Sequence, residues 1–164
     1  MKEVYFTETD QPRIDDCRLS ELEDLARASI RGRARLCLHQ THEDILQEMI
    51  IALCTGAYIP PHRQFGKTKS YVVLKGSIGV GFFSPEGEIE EFLTMSPLGQ
   101  NATSVIRFPT ERWHTVVSIS EIAIYIEVVS GPYDSAETEI APWAPNEAEG
   151  ALADSFVRRL QAYK

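Results

Sequence analysis

Short apolar runs rich in Val, Ile, Phe and Tyr fill the middle of the chain, and polar turns separate them. Eight such runs follow one another between residues 34 and 129. The turns between them contain Gly56, Pro60, Pro61 and Gly76, and further along the segments SPEGE, SPLGQN and PTER. Runs of this length joined by Gly- and Pro-containing turns predict an all-β sandwich or barrel built of hairpins. The connections are too short for crossover helices, which argues against a parallel sheet. The runs are ARLCLH, QEMIIALC, SYVVLKG, SIGVGFF, EIEEFLTM, TSVIRFP, HTVVSIS and AIYIEVV.

Two segments outside this region place apolar residues at helical spacing. The first is LSELEDLARASIRG, which follows a short predicted strand at VYF and ends at Gly32. The second is EGALADSFVRRLQAYK, near the other end, whose apolar face is expected to pack on a sheet or on a neighbouring subunit. The apolar positions are Leu19, Leu22, Leu25, Ala26 and Ile30 in the first segment and Leu152, Phe156, Leu160 and Tyr163 in the second.

The length of the chain favours one domain with one core. It has 164 residues, of which 43% are hydrophobic. Within that domain, residues 1–33 are predicted to form a strand and helix on the barrel, and residues 34–130 to form the barrel. Residues 131–164 are predicted to form a Pro-rich extended tail and the closing helix. We therefore predict a mainly β protein, a single barrel with an N-terminal and a C-terminal helix.

Composition narrows the classes of partner. The formal charge of −8 argues against nucleic-acid binding, which relies on Lys and Arg side chains. No apolar stretch is long enough for a signal peptide or a membrane span, so we expect no membrane association and a cytoplasmic location. Cys17, Cys37 and Cys54 form no CxxC pair and are expected to be free, buried thiols.

The stretch PPHRQFGKTKSYVVLKG, residues 60–76, joins two of the segments and carries candidate ligand residues. Its spacing, counted from Gly56, resembles the first cupin motif, G-x5-H-x-H-x4-E-x6-G, which supplies metal ligands. His62 matches a ligand position. Gln64 and Lys69 stand where the motif has histidine and glutamate.

A second stretch, FPTERWHTVVS, resembles the second cupin motif, P-x-G-x2-H-x3-N, through Pro109 and His114. Glu111 replaces the glycine of the motif and Ser118 replaces the asparagine. Residues two apart on a strand point to the same side, so His62 is expected to face the interior with residue 64. An antiparallel partner strand is expected to bring His114 opposite.

The wider sequence resembles the WbuC-type cupins, small cupin-fold proteins associated with bacterial surface-polysaccharide gene clusters. The resemblance rests on ILQEMIIAL, PPHRQFGK, VLKG, RWHTVV, EVVSGPYD and APWAP, within roughly residues 20–145. It implies a cupin jelly-roll barrel with a divalent metal held by histidines and a glutamate. It also implies a link to surface-polysaccharide metabolism, while the activity of that family is poorly defined.

The residues at two of the motif's ligand positions argue against tight binding of a metal ion. The amide of Gln64 is a poor substitute for imidazole toward zinc, nickel or iron. A protonated Lys69 offers three donors and no acceptor, so it does not ligate a cation. The candidate metal ligands are His62, Gln64 and His114, and the identity of any cofactor stays open. Lys69 either extends out of the barrel or places its ammonium near the ion position, where Glu127 is a candidate partner.

Basic and aromatic residues flank both motifs. Lys67 and its basic neighbours either concentrate positive charge at the barrel mouth or form solvated surface. The aromatic residues are core or rim side chains, or the face on which a sugar ring packs. His39 and His42 match no motif position, so we expect them to face solvent or to cap a loop. The candidate ligand-binding residues are Arg63, Lys69, Tyr71, Arg112, Trp113 and Glu127.

Three classes of function are open at this point. The first is a protein that binds a small anionic or sugar-like molecule in a barrel with a degenerate metal site. The second is a metal-dependent enzyme, a sugar isomerase or epimerase, that retains a divalent ion on His62 and His114 and uses Lys69 as acid or base. The third is a scaffold protein that needs no intact pocket. We further expect a homodimer, because open sheet edges and the amphipathic last helix favour pairing.

Overall fold

Two facing β-sheets, each covered on its outer side by one helix, make up the part of the chain that the computed structural model describes, residues 3–163. The predicted mainly β jelly-roll barrel with two flanking helices is confirmed. The first sheet has the order β1-β2-β3-β10-β5-β8 and the second β11-β4-β9-β6-β7. The elements in chain order are β1 (Val4–Phe6), α1 (Asp16–Ala28), β2 (Arg33–Cys37), β3 (Leu46–Cys54), β4 (His62–Gln64), β5 (Thr68–Lys75), β6 (Ile78–Phe83), β7 (Ile89–Met95), β8 (Val105–Pro109), β9 (Trp113–Ser118), β10 (Ile122–Ser130), a 3-10 turn (Ser135–Glu137), β11 (Thr138–Ile140) and α2 (Gly150–Gln161).

All eight predicted strands are present, and the structure adds two short ones. His62–Gln64 forms β4, and the tail contributes β11, which pairs with it antiparallel. The tail is therefore part of the second sheet. One parallel pair also occurs, between β1 and β2, where the sequence predicted none. Parallel pairing is possible there because α1 and its flanking loops supply the long connection that such a pair needs.

Strand β10 is apolar on both sides because both sides are covered. Tyr125 faces the second sheet and belongs to the main core with Leu53, Tyr71 and Phe82. Ile124 points the other way and packs against α1. The period of two along the strand thus assigns successive residues to the interior and to the helix.

Helix α1 packs on the outer face of the first sheet through Leu22 and Ala26. Asp15 caps it by accepting a hydrogen bond from the backbone N–H of Arg18, at 2.9 Å. The helix ends at Ala28, earlier than predicted, and Ile30 is 99% exposed rather than buried.

Helix α2 covers the outer face of the second sheet. Phe156, Val157 and Leu160 are buried there against Phe83 and Trp113. The buried face is rotated from the predicted one, and the structure corrects two assignments at its ends. Leu152 and Tyr163 are exposed.

Two smaller observations concern the cysteines and the helices. The three thiols are free, but only Cys37 is buried as expected, whereas Cys54 is half-buried and Cys17 is exposed. No helix in residues 3–163 has the length and apolar character needed to cross a membrane.

Candidate functional site

Lys69 lies inside the barrel. Its position on β5 is paired with Val129 of β10 and Phe108 of β8, and the residue is only 2% exposed. Of the two placements that the sequence left open, the structure has the interior one. The side chain does not extend out to solvent.

The ammonium group of Lys69 has three polar neighbours. Its Nζ is 3.1 Å from Oε1 of Glu127, 3.3 Å from Nε2 of His114 and 3.5 Å from Nε2 of His62. An ammonium has three N–H donors, so each donor has an acceptor here. The pairing of Lys69 with Glu127 that the sequence suggested is present.

Backbone carbonyls orient both imidazoles. Nδ1 of His62 lies 3.0 Å from the carbonyl oxygen of Pro60, and Nδ1 of His114 lies 2.8 Å from that of Arg112. A carbonyl only accepts, so each Nδ1 carries the proton and each Nε2 offers its lone pair to Lys69. The two histidines are paired in register across β4 and β9, as predicted, with ring centroids 4.5 Å apart.

Burial keeps these imidazoles neutral. Burial, and secondly the charge of Lys69, lowers the pKa of His62 to about 4. The same two causes hold the pKa of His114 well below its usual value. At neutral pH both rings are therefore acceptors for the ammonium group rather than competing cations.

Gln64 faces the same space from the second sheet. Its Nε2 donates to Oγ1 of Thr138 at 3.1 Å, which ties β4 to β11. Its Oε1 is buried and has no hydrogen-bond partner among the described residues. A buried amide oxygen without a donor is costly, so this atom is available to a ligand that can donate.

The donor set does not fit a divalent metal. Lys69 places a cation where the lone pairs of His62 and His114 meet, and an ammonium has no lone pair to share with an ion. Within residues 3–163, no group of three or more His, Cys, Asp or Glu side chains is arranged to hold a metal ion. Zinc, nickel or iron bound here has to displace the ammonium group first.

A cavity of about 700 Å³ opens above these residues. Its volume is in the range of pockets that bind small molecules. Three of the six candidate ligand-binding residues line it, namely Lys69, Tyr71 and Glu127. The candidate metal ligands His62 and Gln64 line it as well.

Arg63, Arg112 and Trp113 are not among the residues that line the cavity. Arg63 is bonded to Glu139 at 2.7 Å and lies over the ring of Trp113. Arg112 pairs with Glu91 at 3.1 Å. These contacts place the two guanidinium groups on the surface, and Trp113 is buried beneath α2. Lys67 is likewise paired, with Glu137 at 2.8 Å.

Two residues that the sequence analysis did not single out, Arg35 and Tyr125, line the cavity. His39 and His42, which matched no motif position, line it as well. His39 is buried and accepts a hydrogen bond from the backbone N–H of Glu48, so of the two expected roles it does not take the solvent-facing one. The signal for Arg35 was the alternation within β2, where Ala34 and Leu36 pack against α1 and residue 35 must point inward.

Thr110 is a further buried residue that holds the site together. Its Oγ1 lies 2.8 Å from the carbonyl oxygen of Gln64 and 3.1 Å from that of Lys67. The backbone N–H of Gln64 donates in turn to the carbonyl oxygen of Thr110, at 2.8 Å. These bonds fix β4, and with it His62, beside the loop that precedes β9.

The chain belongs to the family described as Domain of unknown function (DUF6016), whose model matches residues 14–95, half of the chain. The match includes the first motif and ends before His114. A comparison with curated proteins found no match. The family assignment therefore brings no activity with it.

Solved structures with the same fold are more distant in sequence. Protein SO0799 from Shewanella oneidensis is 16% identical with a TM-score of 0.58, over 81% of this chain and 87% of that one. TT1209 from Thermus thermophilus is 23% identical with a TM-score of 0.52, over 71% of this chain and 95% of that one. The Cupin_2 domain of an XRE family transcriptional regulator from Enterobacter cloacae is 20% identical with a TM-score of 0.46, over 62% and 98%. The likenesses to SO0799 and TT1209 concern the fold alone.

Proposed function

We propose that the protein binds a small anionic or sugar-like molecule in its cavity, with the ammonium group of Lys69 in place of a metal ion. One observation carries the proposal: Nζ of Lys69 has Glu127 and the Nε2 atoms of two neutral histidines within 3.5 Å. A permanent protein cation thus stands where a removable one stands in metal-binding cupins. The resemblance to WbuC-type cupins adds surface-polysaccharide metabolism as the proposed context.

The cavity favours this proposal over a scaffold role. A scaffold needs no opening into the barrel, whereas here a cavity of about 700 Å³ reaches His62 and the charge pair of Lys69 and Glu127. Keeping a charge pair away from water is costly, and it is often no more stabilising than apolar packing of the same volume. Such a group is more readily explained by binding than by stability.

The test combines metal analysis with a survey of bound compounds. We expect tag-free protein to contain far less than one equivalent of zinc, nickel or iron, and native mass spectrometry or a metabolite library to identify a small ligand. Lys69→Met should abolish that binding, because Glu127 and the histidines lose the group that holds them. Lys75→Met is the matched control, since Lys75 lies on the same strand with its side chain 59% exposed. Equal ligand binding by both variants would refute the role of Lys69.

One observation favours a metal-dependent enzyme as the second candidate. The Nε2 lone pairs of His62 and His114 converge on one point, as the imidazoles of a metal centre do. In this alternative a divalent ion displaces the ammonium group, and Lys69 becomes an acid or base toward a sugar substrate. Stoichiometric metal in the purified protein, lost in His114→Ala, would select the enzyme over the binding protein.

A further inference from the structure

The charged groups that line the cavity do not balance. Among the described lining residues are three carboxylates, and each has a cation. Glu127 is paired with Lys69, and Glu3 with Arg31 at 3.3 Å. Glu147 is paired with Arg31 and Arg33. One lining cation remains without a carboxylate in this part of the chain.

That cation is Arg35. Among the described residues, its guanidinium group makes one polar contact, from Nη1 to the sulfur of Met49 at 3.7 Å. A thioether is a weak acceptor, so most of the five N–H donors of the guanidinium group are free for a ligand. Planar recognition of a carboxylate by two parallel hydrogen bonds is the contact for which such a group is best suited.

Two buried polar atoms of the cavity wall also have no partner among residues 3–163. They are the hydroxyl of Tyr125 and Oε1 of Gln64. Tyr125 is fully buried and Gln64 is 7% exposed. Burial raises the pKa of Tyr125 well above its usual value, with the charge of Glu127 as the second cause, so its hydroxyl keeps the proton and can donate. The amide oxygen of Gln64 can only accept.

The three groups face one space. Arg35 is opposite Ile51 on β3, and Ile51 is opposite Tyr125 on β10, so Arg35 and Tyr125 share a face two strands apart. Their backbones are therefore about 10 Å apart, from the usual strand spacing. Gln64 enters from the opposing sheet. A ligand of a few carbon atoms that touches all three needs a negative charge at one end and polar oxygens along its length.

We infer that Arg35 anchors the carboxylate of a small hydroxy acid or sugar acid, whose hydroxyl groups meet Gln64 and Tyr125. This assignment rests on the proposed function and names its ligand class. It moves the anionic contact from Arg63 and Arg112, which are paired with surface carboxylates, to Arg35. The described residues that line the cavity carry one more cation than carboxylates, and one ligand carboxylate would neutralise that charge.

Calorimetric titration with three probes of one chain length tests the assignment. D-Gluconate has a carboxylate and hydroxyls, sorbitol has hydroxyls only, and hexanoate has a carboxylate only. We expect gluconate to bind more tightly than either of the others. Arg35→Met should weaken gluconate about ten-fold or more, the factor expected for a lost charged hydrogen bond, and should leave sorbitol unchanged.

Arg107→Met is the matched control, because Arg107 is an exposed arginine on β8 of the same sheet and does not line the cavity. It should leave gluconate binding unchanged. Arg35→Lys retains the charge and should recover part of the affinity. Tyr125→Phe should weaken gluconate without lowering the melting temperature, since the hydroxyl has no described partner to lose. Thermal melts establish that each variant is folded.

The outcomes separate this inference from the proposed function. Equal binding of gluconate and sorbitol, or gluconate binding that Arg35→Met leaves intact, would overturn the role of Arg35. A surveyed ligand that requires Lys69 and not Arg35 would overturn the inference and leave the proposed function standing. If no probe binds and the survey finds no ligand, both fall.

Discussion

Replacing the buried cation by a metal-binding carboxylate is the sharpest test of how this site works. Lys69→Glu removes the ammonium group that lies within 3.5 Å of both Nε2 atoms and supplies the carboxylate of the motif. Gln64→His adds the missing imidazole from β4. We expect the double variant Gln64→His/Lys69→Glu to bind zinc or nickel more tightly than either single variant, because both changes act on the same ion.

The magnitude follows from the charges involved. Without metal, the double variant buries two carboxylates beside neutral imidazoles, and Glu127, 15% exposed, loses its partner. Breaking a buried ion pair costs about 3–5 kcal/mol of unfolding free energy, so the metal-free variant should be markedly less stable. Metal at a hundred times its Kd returns about 2.7 kcal/mol. For a chain of this size that corresponds to a rise in melting temperature of about 5–11 °C.

Melting temperature measured against metal concentration is the assay, with chelator-treated protein as the starting point. The parent should show only a slight rise, since its ammonium group opposes the ion. Adding His114→Ala to the double variant should remove the rise, which makes it the control for binding elsewhere. Equal, stoichiometric metal in parent and double variant would refute the reasoning, because the parent would then hold an ion despite Lys69.

Three further predictions concern stability and assembly. The pKa of His62 is lowered from its ordinary value of 6.5 to about 4 in the folded protein. Between these two values the unfolded chain therefore binds a proton that the folded protein does not. Unfolding free energy should therefore fall by about 3 kcal/mol between pH 6.5 and 4, with His114 adding in the same direction, and a flat urea-denaturation profile over that range would contradict it. Thr110→Val should cost about 1–3 kcal/mol of unfolding free energy in urea denaturation and weaken ligand binding, because it removes the hydroxyl that bonds the carbonyl of Gln64 and lies beside that of Lys67. Thr110→Ser keeps the hydroxyl and should retain both properties. We expect a homodimer, which a sedimentation mass near 18.4 kDa would disprove.

The two-sheet architecture was predictable because strands and turns have patterns that are visible in short stretches of the sequence. The strands alternate inward and outward side chains with a period of two, and Gly- and Pro-containing turns separate them. Both signals are visible in the sequence without knowing what the strands pack against. Errors fell at the ends of helices. Ile30 fits the helical spacing, yet it lies beyond the point where Ser29 ends the helix, so the pattern continued after the structure had changed. Leu152 and Tyr163 show the same limit in α2.

The sequence indicated the candidate site through motif spacing. His62 and Lys69 occupy motif positions and Glu127 was proposed as a partner of Lys69, and the pairing of neighbouring strands brings the three side chains together. Arg63 and Arg112 lie outside the cavity, which the sequence could not show, because a basic residue near a motif looks the same in the sequence whether or not a distant carboxylate pairs with it. Glu139, which pairs with Arg63, lies in the tail. No local pattern predicts that pairing.

Residues 69 and 127 form one electrostatic unit, and this limits how the site can change. Glu127 lies on a strand whose neighbours are apolar, and its carboxylate is tolerable there because Lys69 faces it across the β5–β10 pair. A carboxylate at residue 69 with Glu127 retained requires an ion between them, whereas an apolar residue at 69 requires the loss of the Glu127 charge. His62 and His114 fit either arrangement, because a neutral Nε2 can accept a hydrogen bond from an ammonium group or bind a metal ion. In the proposed function the ammonium group of Lys69 takes the place of the ion, and binding then depends on protein charges.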